Sequence, residues 1–257
     1  MLSTAPFFRQ SLRSAFEHAR AAGFDAVEVM VTQDPATQDA ETLRRLAKEF
    51  GLRVLSLHAP FLLVTRRVWS TDPVAKIRRS VQLAEEVGIP IVVVHPPYRW
   101  QRRYRTWAEE QLAEYAARTG VIVGVENMFP LKLPGGRGVK FHASQDFDHL
   151  DHYPSLVLDT SHLAVSGFGL VETYERYRGK VVHFHVSNNA GKGWDSHLPV
   201  YEGVLPVNEL LDRIRRDFAG SIALELDLRR FLGDHDATVE VLERNRVYCE
   251  EHLGVPA

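Results

Sequence analysis

The stretch 181–197, VVHFHVSNNAGKGWDSH, brings ligand-capable side chains together within a few residues. A short apolar run delivers His183 and His185, and the loop after it delivers Asp195 and His197. Side chains alternate between the two faces of a strand, so the two histidines share one face while Val182 and Phe184 take the other. Of the two, His185 belongs at the strand's carboxyl end. Imidazole nitrogen combined with carboxylate oxygen suits zinc, manganese or iron. A half-buried strand followed by a polar loop would also accommodate such histidines, so the case for a metal has to come from recurrence along the chain.

That recurrence is present. Glu28 lies inside DAVEVM, and His58 closes RVLSLH. His95 closes PIVVVH, Glu126 sits near the end of VIVGVEN, and Asp159 closes SLVLD. Glu225 lies near the end of SIALEL. From Glu28 through His58, His95, Glu126, Asp159 and His185 to Glu225 the steps are 30, 37, 31, 33, 26 and 40 residues. Each step has room for one strand, one helix and two loops.

The elements between these points read accordingly. MLSTAPF leaves room for only a stub of first strand, and residues 7–22 have helical spacing closed by Gly23. Residues 38–50 form an amphipathic helix closed by Gly51, and residues 72–87 open on Asp72-Pro73 and run to Gly88. Residues 104–119 form another helix, the loop 130–140 is glycine-rich, and the run DATVEVLERNRVYCEEH makes the last helix. Near-continuous apolar strands alternating with amphipathic helices imply a parallel sheet covered by helices. About eight such units in about 250 residues predict a single (β/α)₈ TIM barrel spanning 1–257, its first strand short, with the ionisable residues at the face where such barrels place active sites. A doubly wound open sheet is the alternative, but it would not bring nearly all its strand ends to one point. Taken singly, His58 and His95 could bond neighbouring loops and Asp159 could cap a helix. Taken together, several carboxylates buried at one end call for a compensating cation.

Lys plus Arg number 31 against 33 for Asp plus Glu, so no global positive field points to nucleic acid or an anionic membrane. The one cysteine, Cys249, excludes an intrachain disulfide and a cysteine-based zinc cluster, and its place in the last helix predicts a structural role. With no apolar run of about 18 residues and no basic leader before an apolar stretch, the expectation is a cytoplasmic protein without membrane association.

In this order and spacing, His58-Ala59-Pro60, His95, Glu126-Asn127, Leu158-Asp159-Thr160-Ser161-His162, His185, Asp195-Ser196-His197-Leu198-Pro199 and Glu225 resemble the xylose isomerase-like TIM-barrel superfamily, which holds sugar isomerases and epimerases together with endonuclease IV. The likeness begins at GFDAVE, residues 23–28, and reaches the final helix. It implies a metal set of Glu126, Asp159, His185 and Glu225 for one divalent ion, as in the isomerases. The set that endonuclease IV uses for three zinc ions adds His58, His95, His162, Asp195 and His197, all present here. In isomerases the counterparts of His162 can contact substrate instead, and the Val-Glu-Val setting of Glu28 resembles that branch, which makes Glu28 and His162 candidate substrate contacts.

Two chemistries follow from the resemblance. In a sugar or sugar-phosphate isomerase or epimerase, one Zn2+ or Mn2+ polarises a carbonyl while Glu126 and Glu225 act as the catalytic proton-transfer pair. In a phosphodiesterase of the AP endonuclease kind, two or three zinc ions bridge a phosphate and Glu126 bridges two of them. A barrel that keeps metal without turnover is a third outcome. Arg66, Arg67 and Trp69, with Tyr98, Arg99, Trp100, Arg102, Arg103, Tyr104 and Arg105, supply a rim for nucleic acid or for an acidic small substrate. The small-molecule reading is favoured, in a monomer or small homo-oligomer.

Overall fold

Eight parallel strands close into a barrel in which every strand pairs with its sequence neighbours and the last pairs with the first. They are β1 (Leu2–Ser3), β2 (Ala26–Met30), β3 (Arg53–His58), β4 (Ile91–Val94), β5 (Ile122–Glu126), β6 (Leu156–Asp159), β7 (Val181–Val186) and β8 (Ser221–Leu224). The structure is a computed structural model and describes residues 1–61, 65, 67–132, 138–142 and 147–255. The TIM barrel expected from the spacing is the fold observed, and its first strand is two residues long. Arg66 and the middle of the loop 130–140 lie outside the described residues.

Alternation within the strands builds the two layers. On β4, Ile91 and Val93 join Val157 of β6 in a small apolar cluster, while Val92 and Val94 belong to the large core packed against the helices. A side chain at Gly124 of β5 would have no room: a Cβ there would stand 2.7 Å from Val157 Cγ2. Above this plug the same inward positions turn polar.

The surrounding helices begin and end where capping chemistry places them. Asp72 accepts from Val74 N at the start of α3 (Pro73–Val87), and Gly88 closes it in a left-handed conformation, φ 85°. Three boundaries differ from the expected ones. The segment 7–22 opens as a 3₁₀ turn at Ala5–Phe7, and α1 (Leu12–Ala21) starts only after Ser11, whose side chain accepts from Ser14 N. Residues 38–50 likewise split into a 3₁₀ turn, Pro35–Gln38, and α2 (Ala40–Phe50), because Asp39 takes the cap. Residues 104–119 break at Gln111 into α4 (Arg102–Glu110) and α5 (Leu112–Thr119). A one-turn helix, Phe147–Leu150, and the longer α6 (Thr160–Ser166), α7 (Leu170–Tyr177) and α8 (Val207–Ile214) precede the final α9 (His235–Leu253). Among the described residues no helix is long and apolar enough to cross a membrane.

Candidate metal centre

Parallel register puts the chemistry at one height. His58 ends β3, Glu126 ends β5 and Asp159 ends β6, where it pairs with His185 across β6–β7. His95 and Glu225 each follow the last residue of their strand. Asp159 also caps α6, its Oδ1 accepting from His162 N at 2.8 Å, and thereby sets His162 on the first turn above the barrel. Asn127 grips the same residue through its main chain: its Oδ1 accepts from Asp159 N at 2.7 Å and its Nδ2 donates to Asp159 O.

The side chains converge in three overlapping groups. His58 Nε2 and His95 Nε2 lie 3.4 and 3.1 Å from Glu126 Oε2. His185 Nδ1 lies 3.0 Å from Glu126 Oε1, 3.2 Å from Glu225 Oε2 and 3.9 Å from Asp159 Oδ2. His162 Nε2 and His197 Nε2 approach Asp195 Oδ2 at 3.4 and 2.8 Å, and His197 Nδ1 stands 4.0 Å from Asp159 Oδ2. Each of the groups His58–His95–Glu126, Glu126–Asp159–His185 and Asp159–His162–Asp195–His197 presents its ligand atoms within 4.8 Å of one another. All nine residues named as candidate ligands thus meet at one end of the barrel.

Two observations bear on whether this donor set fits a cation. First, Glu126 Oε2, Asp159 Oδ2 and Glu225 Oε2 are buried without a hydrogen-bond donor. Buried carboxylate oxygens are costly unless something positive meets them. Second, the far nitrogens of three histidines are already committed. His58 Nδ1 donates to Ala59 O, His162 Nδ1 to Asn127 O and His197 Nδ1 to Glu225 O, at 3.0, 2.8 and 2.9 Å. A carbonyl can only accept, so each ring carries a proton on Nδ1 and turns Nε2 to the cluster, where that nitrogen can take either a proton or a metal ion, the arrangement that fixes histidine ligands in metal sites. The donors fit a divalent ion of the zinc or manganese kind.

The electrostatics follow from the same crowding. Burial opposes charge on Glu126, but His185, His58 and His95 outweigh it and hold the carboxyl well below its ordinary range. Burial raises the Glu225 carboxyl, with neighbouring His185 and His197 pulling only partly the other way. Burial also works against the His162 imidazolium, yet Asp159, Asp195 and Glu126 push it up to about 10. His95 has weaker carboxylate support, and burial lowers it. Protons and a divalent ion would compete for these same donors.

Comparisons with known proteins agree with this architecture. Residues 16–246 match the family model described as xylose isomerase-like TIM barrel. The chain belongs to the xylose isomerase-like TIM barrel family. An uncharacterized protein of Mycobacterium leprae (strain TN) is 37% identical over 244 residues, covering 88% of this chain and 87% of that protein. Among solved structures of this family's fold, a D-tagatose 3-epimerase-like protein superposes with TM-score 0.70 at 22% identity, covering 97% of each chain. A D-allulose 3-epimerase from Methylomonas sp., in complex with D-allulose, gives 0.66 at 20% identity over 93% of this chain and 90% of that one.

Within this family member some expected site residues sit elsewhere. Glu28 does not reach the mouth. It is wholly buried one layer below, where Ser3 Oγ and Ser56 Oγ donate to its two oxygens at 3.2 and 2.8 Å, so the expected substrate contact is corrected. His183 joins it there, its Nε2 3.1 Å from Glu28 Oε2. Tyr104, expected on the rim, is buried and donates its hydroxyl to His95 O at 2.6 Å. Trp100 is a rim residue, 64% exposed and stacked on Tyr98 at 4.8 Å, and Tyr98 stacks in turn on His142. Sequence reasoning missed Asn189 and the hydroxyl of Ser161. Ser161 Oγ donates to Asp195 Oδ1 at 2.6 Å and Asn189 Nδ2 reaches Ser161 Oγ at 2.9 Å. Only the adjacency of Ser161 to Asp159 and His162 hinted at them.

Above the cluster opens a cavity of about 540 Å³, lined by Glu225, Asp195 and His197 on one side and by Phe8, Met30 and Leu228 on the other. It has the size of a small-molecule site.

Proposed function

We propose that this family member is a divalent-metal-dependent isomerase or epimerase of a sugar or sugar phosphate. The observation that carries the reading is the placement of two glutamates about one histidine nitrogen beneath a small-molecule cavity. Glu126 and Glu225 flank His185 Nδ1 at 3.0 and 3.2 Å, and Glu225 lines the cavity. Glu126, Asp159, His185 and Glu225 would hold the ion, which when bound supplies Lewis acidity to an α-hydroxycarbonyl. The rest falls to the chain. The Glu225 carboxyl, raised by burial and one-fifth exposed, is suited to exchange a proton with a substrate carbon. Glu126, held ionised by its histidines, is suited to receive one. Phe8, Met30 and Leu228 offer an apolar wall to the C–H face of a sugar and keep water from the reacting carbon.

One observation favours a second reading. Glu126 belongs to two of the ligand groups and the third group is complete, the pattern a trinuclear zinc phosphodiesterase would use. Incubation in D₂O with Mn2+ or Zn2+ and a panel of free and phosphorylated ketoses, D-allulose included, separates the two. The isomerase reading expects deuterium at one carbon of at least one sugar. Absence of exchange on every sugar, together with metal-dependent nicking of DNA bearing an abasic site, would replace it by the hydrolase.

A further inference from the structure

A second cleft lies between α3 and α4. Its volume is about 820 Å³, within the range of small-molecule sites. Val74 and Arg78 line it from α3, and Arg102, Arg103 and the buried Trp107 line it from α4. Trp100, on the turn that leads into α4, completes the lining. No lining residue is shared with the cavity above the candidate metal centre, so a ligand held here is a different one from the substrate of that centre.

The charge of this cleft is unbalanced. Elsewhere on the surface Arg13, Arg53, Arg213 and Arg229 each meet a carboxylate. Among the described residues, no carboxylate lies within 4 Å of the guanidinium of Arg78, Arg102 or Arg103. Asp72 also lines the cleft, but its carboxylate is engaged as the cap of α3, accepting from Val74 N at 3.1 Å. Cations of one sign gathered on one cleft repel each other and concentrate anions there.

The aromatic part is held in place as well as exposed. Trp100 is 64% exposed although Tyr98 stacks on one of its faces, 4.8 Å away and 2° from parallel, so its other face is open. The turn beneath it is fixed by hydrogen bonds. Tyr98 N donates to Gln101 Oε1 at 2.9 Å, Gln101 N to Tyr98 O at 2.9 Å and Arg99 N to Phe141 O at 2.8 Å. The Tyr104 hydroxyl on His95 O ties the first turn of α4 to the barrel. An indole held still with one open face offers a planar ring a stacking platform at low entropic cost.

We propose that this cleft binds a nucleoside polyphosphate, its base stacked on Trp100 and its phosphates met by Arg78, Arg102 and Arg103. Guanidinium pairs with phosphate through bidentate, charge-assisted hydrogen bonds, a geometry that a simple point charge lacks. One platform beside three cations suits a single nucleotide. A nucleic acid strand would call for a row of platforms along a basic track.

The test titrates ATP, GTP, CTP and UTP separately into the full chain by calorimetry, in EDTA so that no divalent ion links the phosphates to the candidate metal centre. One saturable site is expected for at least one of them, with its nucleoside alone and inorganic triphosphate each binding more weakly. R102A/R103A should weaken that nucleotide by about tenfold or more, the cost of losing hydrogen bonds to a charged group. W100A should weaken it about five- to 100-fold, as loss of a stacked base does, and W100F should recover most of the loss. These side chains are exposed, so the urea midpoint should not move. E225Q and D195A should bind the nucleotide as wild type does. Failure of every nucleotide to saturate the chain below about 1 mM overturns the proposal. Unchanged affinity in R102A/R103A overturns it too, as does loss of binding in E225Q or D195A, which would move the nucleotide to the other cavity. Inorganic triphosphate bound as tightly as the nucleotide, with W100A indifferent, overturns it in favour of a plain polyanion site. A single-stranded oligonucleotide that binds through the same side chains more tightly than any nucleotide overturns it in favour of nucleic acid.

Discussion

The nine ligand-capable side chains fall into two halves that are held in place by different physics. His58, His95, Glu126, Asp159, His185 and Glu225 stand at or next to strand ends, where sheet register fixes their height and direction through main-chain hydrogen bonds. His162, Asp195 and His197 stand on the first turn of α6 and on the loop after β7. There the scaffold is made of side chains. Asn188 bonds Leu198 through its main chain and the carbonyls of Val200 and Leu205 through Nδ2. Asn189 ties Ser161 to the carbonyl of Trp194, and Ser196 Oγ accepts from Ala190 N. His197 adopts a left-handed φ of 39°, a conformation that a non-glycine residue holds only when its surroundings impose it. The barrel half is therefore rigid by default, and the loop half only as rigid as its polar network.

If the proton-transfer reading is right, function should divide along the same line. E225Q and E126Q are expected to lower the rate of substrate hydrogen exchange by about 10²- to 10⁴-fold. D195A and H197A, which leave the barrel half intact, should cost less than about tenfold on the same scale. Comparable losses in all four variants would break the division and favour the phosphodiesterase, in which both halves serve one reaction.

A structural test sharpens the comparison without any substrate. Asn189→Ala removes both of its side-chain donor bonds and leaves the carbonyl of Trp194 and Ser161 Oγ without that partner. It should cost about 1–3 kcal/mol in urea unfolding. Amide hydrogen exchange should accelerate across residues 188–198 while the amides of β5 to β7 keep their protection. Uniform acceleration through the strands would show that the two halves are one cooperative unit.

The same division explains what was legible in the sequence. A strand advertises itself by an apolar run, and the residue that interrupts the run at its carboxyl end is conspicuous, so His58, His95, Glu126, Asp159 and His185 could be placed by eye. Glu28 broke the rule. It too interrupts an apolar run, but in its middle, and period-2 alternation alone could not say that Ser3 and Ser56 flank it across two strands. The loop half was legible only through resemblance, since Asn189 and Ser161 carry no local periodicity and their meaning lies in contacts across 28 residues. Helix boundaries were misplaced wherever a capping side chain, Ser11 or Asp39, competed with apolar spacing that ran on past it.

A buried lysine offers a third setting. Lys76 on α3 donates from Nζ to Pro60 O and Thr65 O at 2.7 and 2.8 Å, anchoring the segment that follows His58. Burial pulls its ammonium down to about 8. The folded chain thus gives up this proton well before the unfolded chain, whose lysine titrates near 10.5. Between those values the unfolded state binds more protons, so this group's contribution to stability rises with pH, and below about 8 the full burial penalty applies. The wild-type melting temperature relative to K76M should therefore increase from pH 8 to pH 10. A difference that stays flat or shrinks would mean that the two carbonyls keep the ammonium charged and that the anchor works by charge.

The smallest effect is expected at the end of the barrel remote from the candidate metal centre. Cys249 of α9 is buried in the core and lines, with Met1, Phe24 and Ser221, a cavity below the strands' amino ends. Burial pushes its thiol up to about 12, far from the thiolate that a nucleophile or ligand requires. Stability should fall by about 1 kcal/mol in Cys249→Ser, the common cost of a single unfavourable core change. Hydrogen exchange on substrate and Zn2+ affinity should both stay within twofold of wild type, since none of the hydrogen bonds described above for the nine side chains involves Cys249. The native thiol should also resist alkylation at pH 8 until urea unfolds the chain. Rapid labelling of the folded protein, or a tenfold loss of turnover at unchanged stability, would place Cys249 in the working part of the molecule and remove the contrast between its two ends.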